Sequence, residues 1–316
     1  MDTRARRRRP GHPGLDLAAL SRILVVNAGS TSLKLSIVDE SGTATAVDDF
    51  VEADAVGHRI VHFGDLLVEA ELVEDWLIPY IEEGAEVAPL HNQPALDALR
   101  SAQQALPNLP HVAVSDSYFH HTMPDYVRRY AVPADWTHIT RHGFHGLAVG
   151  SIAERTPVPR LVVCHLGGGA SVTAVLDGRS VDTTMGYTPL EGVPMATRSG
   201  SIDPGVLLYL LREGMPLEQL DRTLNEESGL KALGGLDDPL GFALYTYRVA
   251  QAVAAMATAL GGIDTLAFSG GVGENRSDVR EAVAERLRFL GEFTVEAVPA
   301  REDVMIARQV RATLDQ

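Results

Sequence analysis

The chain predicts an α/β protein of two domains that face each other across a cleft. Three observations carry that expectation. Residues 23–38, Ile-Leu-Val-Val-Asn-Ala-Gly-Ser-Thr-Ser-Leu-Lys-Leu-Ser-Ile-Val, are two apolar runs joined by a small polar hinge. Residues 161–177, Leu-Val-Val-Cys-His-Leu-Gly-Gly-Gly-Ala-Ser-Val-Thr-Ala-Val-Leu-Asp, repeat that plan far downstream, as a duplicated domain would. The length of 316 residues allows two such units, each with ample buried core.

In the first stretch, Ile23 to Val26 reads as a short buried strand. Leu33, Leu35 and Ile37 alternate with Lys34, Ser36 and Val38, so a strand with one buried face follows. The hinge from Asn27 to Ser32 is too short for a crossover helix, which makes this a β-hairpin. Gly29 frees the backbone there. The hydroxyls of Ser30 and Ser32, the hinge amides and the Lys34 charge can all meet anionic oxygens. Taken alone, the stretch reads equally well as an ordinary polar hairpin tip. Paired with its repeat, it predicts two anion-holding hairpins that face each other around a nucleoside polyphosphate.

Composition narrows the function. Hydrophobic residues make up 45% of the chain, yet no apolar run reaches the ~18 residues of a membrane span. The net charge of −15 argues against nucleic acid as a partner. An anion site must therefore be assembled from local amides and a few placed arginines, since the only lysines are Lys34 and Lys231. Cys164 is the single cysteine and falls in an expected buried strand, so no internal disulfide can form and a reducing cytoplasm fits.

Taken in order, residues 1–22 carry Arg4, Arg6 to Arg9 and a Pro-Gly-His-Pro-Gly run, and read as a disordered extension. Gly57-His58-Arg59-Ile60-Val61-His62 is a strand. His58 and His62 lack a third metal ligand, whereas Arg59 offers a fork for a carboxylate or phosphate. Helices are expected over 72–84 and 92–106, then a short strand, His111 to Val114. Asp116 stands just past that strand's C-terminal end, where α/β folds place ligand groups, although it could equally cap a turn. Gly143-Phe144-His145-Gly146 is a tight loop that either presents His145 to a phosphoryl oxygen or buries it as a satisfied core residue. Asp203 and Pro204 open a helix over 204–213, and Arg198 precedes it on a glycine-containing loop. A long helix over 241–260 leads to the strand Thr265 to Phe268, then to a glycine turn and a helix from about Ser277. Glu302 and Asp303 open the closing helix, 302–314, where acids suit the helix dipole and a cleft-facing Glu302 could reach Mg²⁺ through water.

The motifs in series resemble the acetate kinase family, which includes propionate kinases. They are Asn27-Ala-Gly-Ser-Thr-Ser-Leu-Lys34, His58-Arg-Ile-Val-His62, Pro89-Leu-His-Asn92, Asp116-Ser-Tyr-Phe-His120, Gly143-Phe-His-Gly146, His165-Leu-Gly167, Thr188-Pro-Leu-Glu-Gly192, Thr197-Arg-Ser-Gly200, Gly271-Val-Gly-Glu-Asn275 and Glu302-Asp-Val-Met-Ile-Ala307. The resemblance implies two ribonuclease-H-like, actin-type domains with a central cleft: 23–116 plus 303–316 form a trimmed first domain, and 117–302 the second. It implies a cytoplasmic homodimer that transfers phosphoryl between ATP and acetate or propionate with Mg²⁺. Among the residues, it implies Asp116, His145, Arg198 and Arg59 as catalytic, and Arg59, Val61, Leu90 and Pro189 around the acyl group. Lys34, His165, Gly167, Gly169, Gly271, Val272 and Asn275 fall on the nucleotide side. Asn27 and Glu302 fall beside the metal, and Ser30 and Ser32 beside the phosphates.

The chain also departs from that pattern. It is shortened before Ala55 and between Gly64 and Pro89. Gly168 replaces an asparagine, Val149 a histidine and Ser201 an acid. Gly235-Leu236-Asp237-Asp238-Pro239 lacks an arginine expected on the adenosine side. These departures motivate an alternative, a catalytically weak or inactive regulatory paralogue that binds ligand in the same cleft. A sugar kinase of the same superfamily fits the motifs less well.

Overall fold

The computed structural model describes residues 20–29, 33–64, 66, 68–87 and 89–315, without the side chains of 86, 87 and 89–91. Two sheets organise these residues. The first contains β1 (Ile23–Ala28), β2 (Leu33–Val38), β3 (Ala44–Val47), β4 (Ala55–Ile60), β5 (Ala70–Leu72) and β6 (His111–Ser115), in the order β3-β2-β1-β4-β6-β5. The second contains β7 (Arg160–Leu166), β8 (Ala170–Leu176), β9 (Arg179–Thr183), β10 (Thr265–Ser269) and β11 (Thr294–Ala297), in the order β11-β10-β7-β8-β9.

The two sheets share one plan. In each, three antiparallel strands run in sequence, β1-β2-β3 and β7-β8-β9, and two parallel strands join the first of them. β5 is an added antiparallel edge on the first sheet. The expected hairpins are present: Asn27 pairs with Lys34, and His165 with Ser171. Parallel strands are buried on both faces, and β4, β6 and β10 accordingly hold no exposed residue.

Each sheet is covered on both sides. The helices Ile78–Val87 and Pro89–Ala105 cover one face of the first, over a core with Leu24, Ile60, Leu77, Ile81 and Leu99. The closing helix Glu302–Leu314 covers the other with Ile306 and Val310. Pro239–Leu260 packs on β7, β8 and β9 of the second sheet, and Gly146–Arg155 packs against β7 and the closing helix. The expected helix over 72–84 begins instead at Ile78, because Leu72 is taken into β5 against Val112. Residues 20–22, assigned above to the extension, pack onto the first sheet. Leu20 is buried, and Asp54 accepts from Ser21 Oγ and from the Arg22 N–H. The rest of that extension, 1–19, lies outside the described residues. Cys164 is fully buried in β7, and burial pushes its thiol up, so it is no nucleophile.

Candidate active site

The site begins with a buried ion pair. Arg59 ends near the tip of β4, which runs parallel to β6 with Ile60 opposite Ser115, so the next residue, Asp116, emerges beside it. Arg59 Nη2 donates to Asp116 Oδ2 at 2.6 Å, and the two side chains are 10% and 0% exposed. Burial alone would push the Asp116 carboxyl up; the Arg59 guanidinium and the Leu147 N–H, 3.1 Å from Oδ1, hold it below the usual carboxylate range. Burial opposes the Arg59 charge too, but the Asp116 and Glu302 carboxylates outweigh it and its pKa is raised.

Asp116 also fixes the next group. Its carbonyl accepts from the Gly146 N–H at 2.7 Å, so both of its acceptors hold the first turn of the helix Gly146–Arg155. His145 is the N-cap of that helix, in the left-handed region at φ 62°, ψ 24°. A non-glycine residue there is strained on the order of 1–3 kcal/mol. His145 caps nothing with its side chain. Its Nδ1 lies 3.1 Å from Ser171 Oγ in the second hairpin. The local backbone preference gives way to ring placement.

Arg198 arrives from the loop before the helix Pro204–Arg212. It is 6% exposed, its Nη1 donates to the Pro189 carbonyl at 3.0 Å, and burial pushes its pKa down. A methyl group on Gly169 would lie 3.1 Å from His145 Nε2 and 3.6 Å from Arg198 Nη1, so both side chains approach that glycine. The His165 ring lies tilted against that of His145, with ring centroids 4.7 Å apart and planes at 54°. Burial pushes its pKa down, against the pull of Glu302 and Asp116, so it joins the two halves of the cluster.

Asn27, at the first hairpin tip, donates from Nδ2 to Glu302 Oε2 at 2.8 Å, and its Oδ1 lies 3.5 Å from Arg59 Nη1. Lys34 is exposed and sits opposite Asn27 in the ladder. On the far side, Gly270 turns the chain at φ 77°, and a methyl there would meet the Leu166 carbonyl at 2.6 Å. Gly167 and Gly271 approach each other, while Gly168 and Gly271 border open space, which leaves backbone amides accessible between two glycine turns. Val272 packs against the core beside that turn, and Asn275 Nδ2 donates to the Gly271 carbonyl at 2.8 Å.

Among the described residues, three polar atoms around the cluster are buried without a protein partner: Arg59 Nε, His165 Nδ1 and Ser269 Oγ. Such atoms are costly unless something arrives to bind them. Among the described residues no group of three or more His, Cys, Asp or Glu could hold a metal by itself. A cation that keeps several waters and phosphate oxygens, as Mg²⁺ does, still fits one carboxylate and one amide, Glu302 and Asn27.

Val61 is buried with Phe144 and Met195, and Pro189 is half-buried beside Arg198. The side chain of Leu90, and Ser30 and Ser32 entirely, lie outside the described residues. Sequence reasoning missed Ser171, which orients His145, and the group Tyr130, Arg141 and Glu191 behind Pro189. Ser171 lies in the second hairpin and Glu191 in a quoted motif, so position was the available signal.

Comparison with known proteins identifies the family and the fold. The sequence profile described as "Acetokinase family" matches residues 43–308. The chain is similar to the acetate kinase of Protochlamydia amoebophila, 41% identical over 79% of this chain and 69% of that protein. It is also similar to the acetate kinase of Deinococcus radiodurans, 43% identical over 75% and 67%. Among solved structures, a Francisella tularensis propionate kinase superposes with a TM-score of 0.85 at 28% identity, covering 92% of this chain and 98% of that one. The Porphyromonas gingivalis acetate kinase gives 0.80 at 29%, over 93% and 100%.

Proposed function

The chain belongs to the acetate kinase family, and from that premise we propose that its cleft moves a phosphoryl group reversibly between ATP and acetate or propionate, giving an acyl phosphate. It is a phosphotransferase with a carboxyl group as acceptor. The convergence of Arg59, Asp116, His145 and Arg198 from four separate segments is the observation that carries the proposal.

A carboxylate is already a nucleophile at neutral pH, so no base is needed. The site must cancel repulsion between anions and align them in line. Arg59 and Arg198 hold the carboxylate and the phosphoryl group in flight. Asp116 keeps Arg59 charged and aimed. We assign the His145 proton to Nε2, with Nδ1 accepting from the Ser171 hydroxyl, so that the atom beside Gly169 donates to the equatorial phosphoryl oxygens. Val61, Leu90 and Pro189 line the small apolar pocket for the acyl chain. His165, Gly167, Gly169, Gly271, Val272, Asn275 and Lys34 serve the nucleotide, with Ser30 and Ser32 on its phosphates. Asn27 and Glu302 would hold Mg²⁺, which when bound would neutralise phosphate charge.

Trapping with hydroxylamine tests the reading: acetate or propionate with ATP should yield the hydroxamate. No product with any short acid, and with either ATP or another donor, would sink it.

The same reading divides the chain into 23–116 plus 303–316 and 117–302, places it in the cytoplasm, and pairs it with a second copy. The helix Pro204–Arg212 supports that pairing, since it has no buried residue and exposes Val206, Leu208, Tyr209 and Leu211. Sedimentation of Leu208→Glu should show monomers where the parent shows dimers; a monomeric parent removes the pairing. Among the described residues no helix is long and apolar enough to cross a membrane.

A further inference from the structure

The loop that receives Arg198 is held by one guanidinium group. Arg141 Nη1 donates to three successive carbonyls, Thr183 and Thr184 at 3.1 Å and Met185 at 3.0 Å. Its Nη2 donates to Glu191 Oε1 at 2.8 Å. Glu191 Oε2 accepts from the Tyr130 hydroxyl at 2.5 Å, and that hydroxyl accepts from the Tyr187 N–H at 2.9 Å. Arg141 thus closes the loop at both ends, and Tyr130 pins its middle. Between them sits Pro189, whose carbonyl takes Arg198 Nη1.

The clamp is built tightly. A methyl group on Gly186 would lie 1.7 Å from Glu191 Oε2 and 2.2 Å from the Tyr130 hydroxyl, so the loop must pass against the clamp as a bare backbone. Packing does not fix this loop on every side. A cavity of about 330 Å³ adjoins it, lined by residues that include Thr184, Glu191, Val193, Ser201 and Met256. Polar bonds therefore carry its shape. Arg141 also lies four residues before His145 in one segment, where the His142 and Gly143 N–H groups donate to the Gly186 carbonyl. The clamp ties the histidine's segment to the arginine's loop.

We propose that Arg141 is a positioning residue: by locking residues 183–191 with Glu191 and Tyr130, it sets the Pro189 carbonyl and through it the aim of Arg198. The kinetic part rests on the function proposed above for Arg198; the structural part does not. Lysine at 141 keeps the charge but cannot bridge three carbonyls and a carboxylate at once.

Two measurements on the full chain test it. Amide hydrogen exchange reads the loop without reference to any substrate. In Arg141→Lys, exchange across 183–192 should rise at least tenfold, while β7 and β8 keep the parent's protection. Unchanged exchange in that loop overturns the proposal, even if the parent proves to have a different activity. With the hydroxamate assay, Arg141→Lys should lower kcat/KM for the carboxylate at least tenfold, leave the KM for nucleotide unchanged, and add less than twofold in an Arg198→Ala background. Full multiplication of the two losses, or an equal rise in both KM values, also overturns it. If Arg141→Lys does not fold, Tyr130→Phe should give the same pattern at smaller size, and its absence counts equally against the clamp.

Discussion

Arg59 and Arg198 reach one cleft from opposite sides and are held by different chemistry. Arg59 stands on a parallel strand of the first sheet with a fully buried carboxylate against it and a second acid, Glu302, nearby. Arg198 stands on an irregular loop before the helix Pro204–Arg212, where a carbonyl and the Met195 sulfur receive Nη1 and burial lowers its pKa. The first is a charge stored with its counter-ion. The second is a charge in a desolvated place, with a carbonyl and a sulfur among its partners. On the proposed function, Arg59 is aimed by its own carboxylate before substrate arrives, while Arg198 is aimed through a neutral loop carbonyl.

The largest expected effect breaks the first side. Arg59→Ala leaves Asp116 buried without its cation, a situation that costs about 3–5 kcal/mol. It also frees the acceptor that holds the first turn of Gly146–Arg155. Hydroxamate formation should fall by at least about a thousandfold, and urea unfolding should shift by that energy. A normal unfolding midpoint would erase the contrast between the two arginines.

Arg198→Ala is the intermediate case. Turnover should fall at least about a hundredfold, the share of one well-placed cationic donor. Thermal unfolding should stay near the parent's, since the bonds from Arg198 to the Pro189 carbonyl and the Met195 sulfur end on neutral groups. Near-normal turnover would refute its role.

The smallest effect concerns pH. Burial, reinforced by His111, pushes His58 down to about 3, and burial pushes His120 down to about 4 against the Phe144 carbonyl and Asp116. Both are neutral when folded and take up a proton on unfolding below their ordinary value of about 6.5. Their contribution is intact above that pH and is lost as pH falls toward 4 and 3. Each steepens the loss by up to about 1.4 kcal/mol per pH unit. His58→Gln should flatten urea stability between pH 6.5 and 5. An unchanged slope would show that the histidine behind Arg59 adds nothing to that side's rigidity.

Much of the scaffold was legible. Both hairpins, the strand before Asp116, the Asp203 cap and the closing helix follow from periodicity and capping chemistry. The missed strands are short. β3 has four residues, β5 three, β9 five and β11 four, all of β11's exposed. Such segments carry no alternating pattern and exist because a neighbour offers them a ladder. The helix Pro89–Ala105 runs through Pro94, which local rules would have used as a boundary. The candidate site divides the same way. Arg59 and Asp116 could be suspected from their place at strand ends. The bonds from Arg141 to Glu191 and from Tyr130 to Glu191 span 50 and 61 residues, and nothing local announces them.

By itself the sequence determined the alternation of strands, the two glycine hinges and the supply of arginine, histidine and acid, because those depend on neighbours along the chain. Only the tertiary structure decided which charges meet. Coulomb energy depends on the distance between groups and on how much water surrounds them. For Arg59 with Asp116 and Arg141 with Glu191, both quantities are fixed by how two sheets and their loops pack together.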